Sequence, residues 1–156
     1  MTIKDAFPGQ PFTRADFEKA EKVLLRDGRL FNAVVTRVTL AGRTWTVKDF
    51  STRPFFVRPF GRFLLARELK AAHYVADIDG FAAEAFRLDE NAVALTFIPG
   101  KTLADLPREE VTPAFLICLE ELIKSMHRAG IVHLDIRSNG NVLMRPDTVS
   151  YTHLRA

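Results

Sequence analysis

Disulfides cannot hold this chain together, because Cys118 is its one cysteine, so its folding must rest on buried apolar surface. Cys118 falls inside an apolar helical pattern and reads as a small core residue in a reducing compartment. No apolar run approaches the roughly 18 residues a membrane-spanning helix needs, and the opening Met1-Thr2-Ile3-Lys4-Asp5 lacks the apolar centre of a secretory leader. A cytoplasmic location is therefore expected. The chain has no G-x-G-x-x-G string, no internal repeat and no low-complexity segment. Its charge is also modest: a formal +3 with a sequence pI near 9.2 favours anions but is too small to argue for a nucleic-acid partner, and none is expected.

What is present is ample core material, 47% hydrophobic over 156 residues, enough for one ordinary domain or a small lobe followed by part of a larger one. Thr13 is placed to cap a helix with Asp16 in its first turn, and Phe17, Ala20 and Leu24 continue along one stripe. Alternation over 34–40 and 44–50 around the Ala41-Gly42 turn predicts a β-hairpin with Lys48 near the end of its second strand. An aromatic and basic stretch, Arg53 to Arg67, leads into a helix starting near Gly61 that carries Glu68; its phenylalanines are expected to pack around that helix. Two short strands follow, 83–88 and 91–98, then a Pro99-Gly100-Lys101 turn. A long helix runs from Thr112-Pro113 to Gly130 with Leu116, Leu119, Ile123 and Met126 at helical spacing, and Asn141 to Met144 reads as a short buried strand.

The informative string is His133-Leu134-Asp135-Ile136-Arg137-Ser138-Asn139-Gly140-Asn141-Val142-Leu143. It resembles the catalytic loop of the protein-kinase-like superfamily, His-x-Asp followed by an Asn and an apolar pair. The resemblance implies that Asp135 accepts the proton of a substrate hydroxyl, that Arg137 lies near the transferred phosphate, that His133 braces the loop and that Asn141 holds Mg²⁺. Asn141 stands six residues after Asp135, one more than the family pattern, and Asn139 is the competing metal ligand. Phosphoryl transfer needs little covalent work from a protein; positioning and charge neutralisation carry it, which is why these residue types recur. Thr46-Val47-Lys48 resembles the strand lysine that grips the nucleotide phosphates, and Glu68, twenty positions on, resembles its helical carboxylate partner.

In detail the chain resembles small bacterial kinases related to lipopolysaccharide-core and RIO-type kinases, over about Gly28 to Met144. The fold implied is α+β and bilobal: an N-terminal lobe of antiparallel sheet plus helix over 1–98, then hinge, helix and catalytic loop of an incomplete helical C-terminal lobe over 99–148. ATP and Mg²⁺ are the implied cofactors, and a hydroxyl on a protein or a lipid sugar the implied acceptor. Arginines interleaved with phenylalanines over 53–67 also suit peripheral contact with an anionic membrane.

Departures from the family carry expectations of their own. Gly28 alone stands where a glycine-rich phosphate loop belongs. No Asp-Phe-Gly motif follows Asn141, and a neutral Asn is a poor substitute for a carboxylate on Mg²⁺, so this chain is expected to be catalytically feeble or inactive. Its final residues, 149–156, resemble a translated sequencing adapter and are expected to be non-native. The unpartnered face of the long helix predicts aggregation. The alternatives are a pseudokinase acting as a nucleotide-binding or scaffolding module, and a small-molecule kinase of the aminoglycoside type, which shares the His-x-Asp loop.

Overall fold

A computed structural model describes residues 10–132, 142–145 and 149–151. These form two compact units, one of residues 10–69 and 84–97, the other of 70–83 and the described residues from 98 onward.

The first unit is built on a five-stranded antiparallel sheet in the order β1-β2-β3-β5-β4, with β1 Lys22–Asp27, β2 Val34–Leu40, β3 Arg43–Asp49, β4 Ala85–Asp89 and β5 Ala92–Thr96. Register follows from turn chemistry. Ala41 and Gly42 both have positive φ, 51° and 72°, as a two-residue type I′ turn demands, and this locks Leu40 opposite Arg43 and Val35 opposite Lys48. Alternation then sends Val47 and Trp45 to one face of β3 and Lys48 to the other.

Helix α1, Arg14–Lys19, belongs to the Trp45 face. Thr13 caps it: the Asp16 amide donates to Thr13 Oγ1 at 3.3 Å and the Thr13 amide donates back to the Asp16 carboxylate at 2.8 Å. Phe12 and Phe17 join Val38, Trp45, Val47 and Leu88 in the core, and Phe12, Trp45 and Phe86 meet edge to face with centroids 5.1–5.7 Å apart. Arg14 ties the helix to the sheet, bonding Asp49 at 2.6 Å and also Asp89. Burial opposes its charge, yet the hydrogen bonds to Asp49 and Asp89 outweigh that and hold the guanidinium above its ordinary pKa.

The stripe through Phe17, Ala20 and Leu24 does not persist as one helix. Lys22 Nζ donates to the Phe17 and Glu18 carbonyls at 2.7 and 2.9 Å, closing the helix end, and Val23-Leu24 leaves it to pair with Arg37 and Thr36. Sheet pairing overrides the helical spacing of Leu24.

Helix α2, Arg58–Val75, presents Gly61, Leu65 and Glu68 inward and runs on into the second unit. Gly61 is required for this approach: a Cβ there would lie 2.5 Å from the buried Phe50 ring. With the helix phase fixed by those contacts, Phe60 and Phe63 fall on the far side and are 51% and 57% exposed, so the packing expected of them does not occur. Phe55 and Phe56, in the turn before the helix, are exposed as well.

The second unit contains a three-stranded antiparallel sheet, β6 Lys101–Thr102, β7 Val142–Met144 and β8 Val149–Tyr151, with β7 central. Gly100 leaves room for the Met144 carbonyl, which would lie 2.7 Å from a Cβ at that position. Val142 and Leu143 are buried, as their apolar run leads one to expect. Residues 149–151, which resemble an adapter-encoded tail, pair with β7 here.

Helix α3, Pro113–Arg128, is capped by Thr112 and ends in a Schellman arrangement, with the Ile131 amide donating to the Met126 carbonyl and Gly130 at φ 79°. Its buried residues are Phe115, Leu122 and Met126, whereas Leu116 is 52% exposed and Cys118 is exposed. The stripe is rotated from the one read through Leu116, and Cys118 is not a core residue. Phe115 is the larger apolar anchor and takes the inward position at the first turn.

Candidate active site

Lys48 and Glu68 form a salt bridge in the first unit. The two residues are 3% and 7% exposed. Lys48 sits between Val35 and Val93 across the sheet, on the face opposite Trp45, so its ammonium emerges among apolar neighbours and the Glu68 carboxylate offsets the cost of burying it. Glu68 arrives there because Gly61, two helical turns earlier, lets α2 close on Phe50. The spacing of twenty residues read from the sequence thus corresponds to a strand and a helix brought into contact.

The connection between β1 and β2 is the second feature of the unit. Gly28 opens it, and no larger residue fits, since a Cβ would stand 2.2 Å from the Ala33 carbonyl oxygen. Arg53, in the loop after β3, reaches across its mouth: Nε donates to the Asn32 carbonyl at 2.9 Å and one terminal nitrogen donates to Asp27 at 2.8 Å. One guanidinium therefore grips both limbs of the turn. In the sequence Arg53 stands out only as part of a basic stretch; nothing local marks it, because its partners lie 21 and 26 positions away.

His133, Asp135, Arg137, Asn139 and Asn141 lie outside the described residues. They are bracketed by the end of α3 and by β7, whose Val142 follows Asn141 directly and is fully buried. Among the described residues no group of three His, Cys, Asp or Glu side chains is arranged to hold a metal ion.

No protein-family model matches the chain, and none of the curated proteins compared with it matches. Among solved structures it is similar to Rad53 1-466 in complex with AMP-PNP, with a TM-score of 0.61 and 18% identity over 89% of this chain. The fold is that of a protein kinase. The five-stranded sheet with its helices corresponds to a kinase N-terminal lobe, and Lys48 lies on that sheet, paired with Glu68 of α2. The chain spans 40% of the length of the Rad53 structure.

Proposed function

We propose that the protein to which this chain belongs transfers the γ-phosphate of ATP to a hydroxyl, and the observation that carries the reading is the buried Lys48–Glu68 pair within a kinase-like fold. A buried ion pair is poor value for stability, since apolar residues of similar volume often serve as well or better. Its presence at this strand and helix is therefore better explained by a task for the charge. Lys48 would hold the nucleotide phosphates, with Glu68 fixing its ammonium, and the AMP-PNP of the Rad53 structure fits that assignment.

Asp135 would orient the acceptor hydroxyl and take its proton, Arg137 would steady the transferred phosphoryl group, and His133 would brace the loop. Mg²⁺, held by Asn141 and phosphate oxygens, would neutralise charge on the phosphates. The acceptor class that the resemblance favours is a protein or a lipid sugar of the kind used by lipopolysaccharide-core and RIO-type kinases. The N-terminal lobe would comprise 1–98 and the catalytic segment 99–148, in a cytoplasmic protein.

Calorimetric titration with AMP-PNP and Mg²⁺ tests the nucleotide half of the reading, and Asp135→Asn tests the chemistry. Binding that survives in Asp135→Asn while γ-phosphate transfer by the whole protein disappears supports the assignment. Binding without transfer in the unmodified protein supports a pseudokinase instead, and transfer that persists in Asp135→Asn removes Asp135 from its role.

A further inference from the structure

Residues 50–67 contain five phenylalanines and four arginines, and no acidic residue. Four of those rings are at solvent: Phe55 80%, Phe56 60%, Phe60 51% and Phe63 57% exposed. Exposing so many large apolar side chains in one segment costs hydration free energy, and contiguous patches of this kind mark interaction surfaces. The arrangement follows from the helix phase. Because Gly61, Leu65 and Glu68 are committed inward, Phe60, Phe63 and Arg67 share the opposite stripe of α2. Phe55 and Phe56 extend it into the preceding turn, and the arginines recur at 53, 58, 62 and 67.

We infer that this arginine–phenylalanine face docks on an anionic lipid bilayer, with the rings entering the boundary between headgroups and acyl chains. The inference stands independently of the phosphotransfer reading. Charge complementarity selects the occupant: Arg62 and Arg67 are exposed cations on α2, the segment 50–67 carries no anion, and each arginine near an anionic surface adds about 1 kcal/mol, a factor of about five in partitioning. The acids nearby come from other elements. Glu90 contacts Arg62 at 2.8 Å, and that pair is exposed on both sides and weak enough for lipid phosphates to compete, whereas Arg53 is committed to Asp27 and the Asn32 carbonyl.

Ring chemistry suits a lipid occupant: Phe has no hydrogen-bonding tip to satisfy when it enters the boundary of the acyl chains. Phe55 and Phe56 stand edge to face at 86° and Arg67 lies over Phe63 at 5.6 Å, which places a cation beside the exposed rings. No described helix is long and apolar enough to cross a membrane, so the contact is with one face of the bilayer.

Co-sedimentation with phosphatidylcholine vesicles, with and without phosphatidylglycerol, decides the matter. The full chain is expected to sediment with the anionic vesicles and to stay in solution with the neutral ones. Phe55→Ser/Phe56→Ser and Phe60→Ser/Phe63→Ser should each weaken partitioning about tenfold or more. Arg62→Gln/Arg67→Gln should weaken it about fivefold per arginine. Trp45 emission in the absence of lipid verifies that each variant is folded; should one fail, Phe63→Trp supplies a second readout, a blue shift on anionic vesicles alone. Equal binding to both vesicle types overturns the inference, as does anionic binding that ignores the phenylalanine changes. Indifference to vesicles together with a dimer, or an oligonucleotide complex, that the same variants abolish also overturns it and assigns the face to a second copy or to nucleic acid.

Discussion

Removing the charge of Lys48 separates stability from nucleotide binding, provided both partners of the ion pair are varied. In Lys48→Met the Glu68 carboxylate stays 7% exposed on α2 while the ammonium facing it is gone. Breaking a buried pair from one side costs about 3–5 kcal/mol. With a urea slope of about 2 kcal/mol per molar, the midpoint should fall by about 1.5–2.5 M. Trp45 reports this directly, because it is the one tryptophan, is fully buried and belongs to the same unit as the pair. Lys48→Met/Glu68→Leu replaces both charges by apolar groups and should return to within about 1 kcal/mol of the unmodified chain, or exceed it. AMP-PNP affinity, by contrast, should be lost in the single and the double variant alike. If the double variant is no more stable than the single, the pair is not coupled as described; if it keeps its AMP-PNP affinity, Lys48 does not hold the nucleotide.

Three further outcomes follow from the same contacts. Gly61→Ala should destabilise the first unit by about 1–3 kcal/mol in urea denaturation, since the added Cβ meets a buried ring at 2.5 Å and the gain in helix propensity is at most about 1 kcal/mol. Arg53→Lys keeps the charge but loses the fork, so amide exchange at Asn32, whose N–H donates to the Gly28 carbonyl, should quicken about threefold to tenfold. Asp16 is held below the usual carboxylate range by its side-chain and backbone hydrogen bonds with Thr13. Its folded pKa is depressed, so its contribution is complete above the ordinary carboxylate pKa and is lost as pH falls through the lower folded value. Asp16→Asn should therefore flatten the acid limb of the stability profile, measured by urea midpoints across that range.

The hairpin, the strand lysine and the helix that carries Glu68 were legible because each rests on local chemistry: a two-residue turn requiring positive φ, a period of two along β3, and the prolines at 54 and 59 that mark the start of α2. The pairing of Lys48 with Glu68 was legible through family resemblance, since spacing alone does not bring position 48 to position 68. Strand β1 was not, because Leu24 also fits a helical stripe and only its partner strand decides between the two. The exposure of Phe60 and Phe63 was hidden for a related reason. Composition says that phenylalanines prefer burial, but which side of α2 turns inward is set by Gly61 meeting Phe50, a contact between residues eleven positions apart. The same holds for α3, where Phe115 rather than Leu116 takes the inward place and turns Cys118 to solvent. Arg14 and Arg53 were invisible as clasps, because their partners are distributed over several strands and turns.

The central claim, that Lys48 lies in a nucleotide site, is tested most directly by titrating AMP-PNP and Mg²⁺ into isotope-labelled chain and following its amide resonances. Perturbations concentrated at Val47, Lys48, Glu68 and the turn opened by Gly28 are predicted. Saturable binding that leaves those resonances unmoved, or no binding at millimolar nucleotide, would contradict the account.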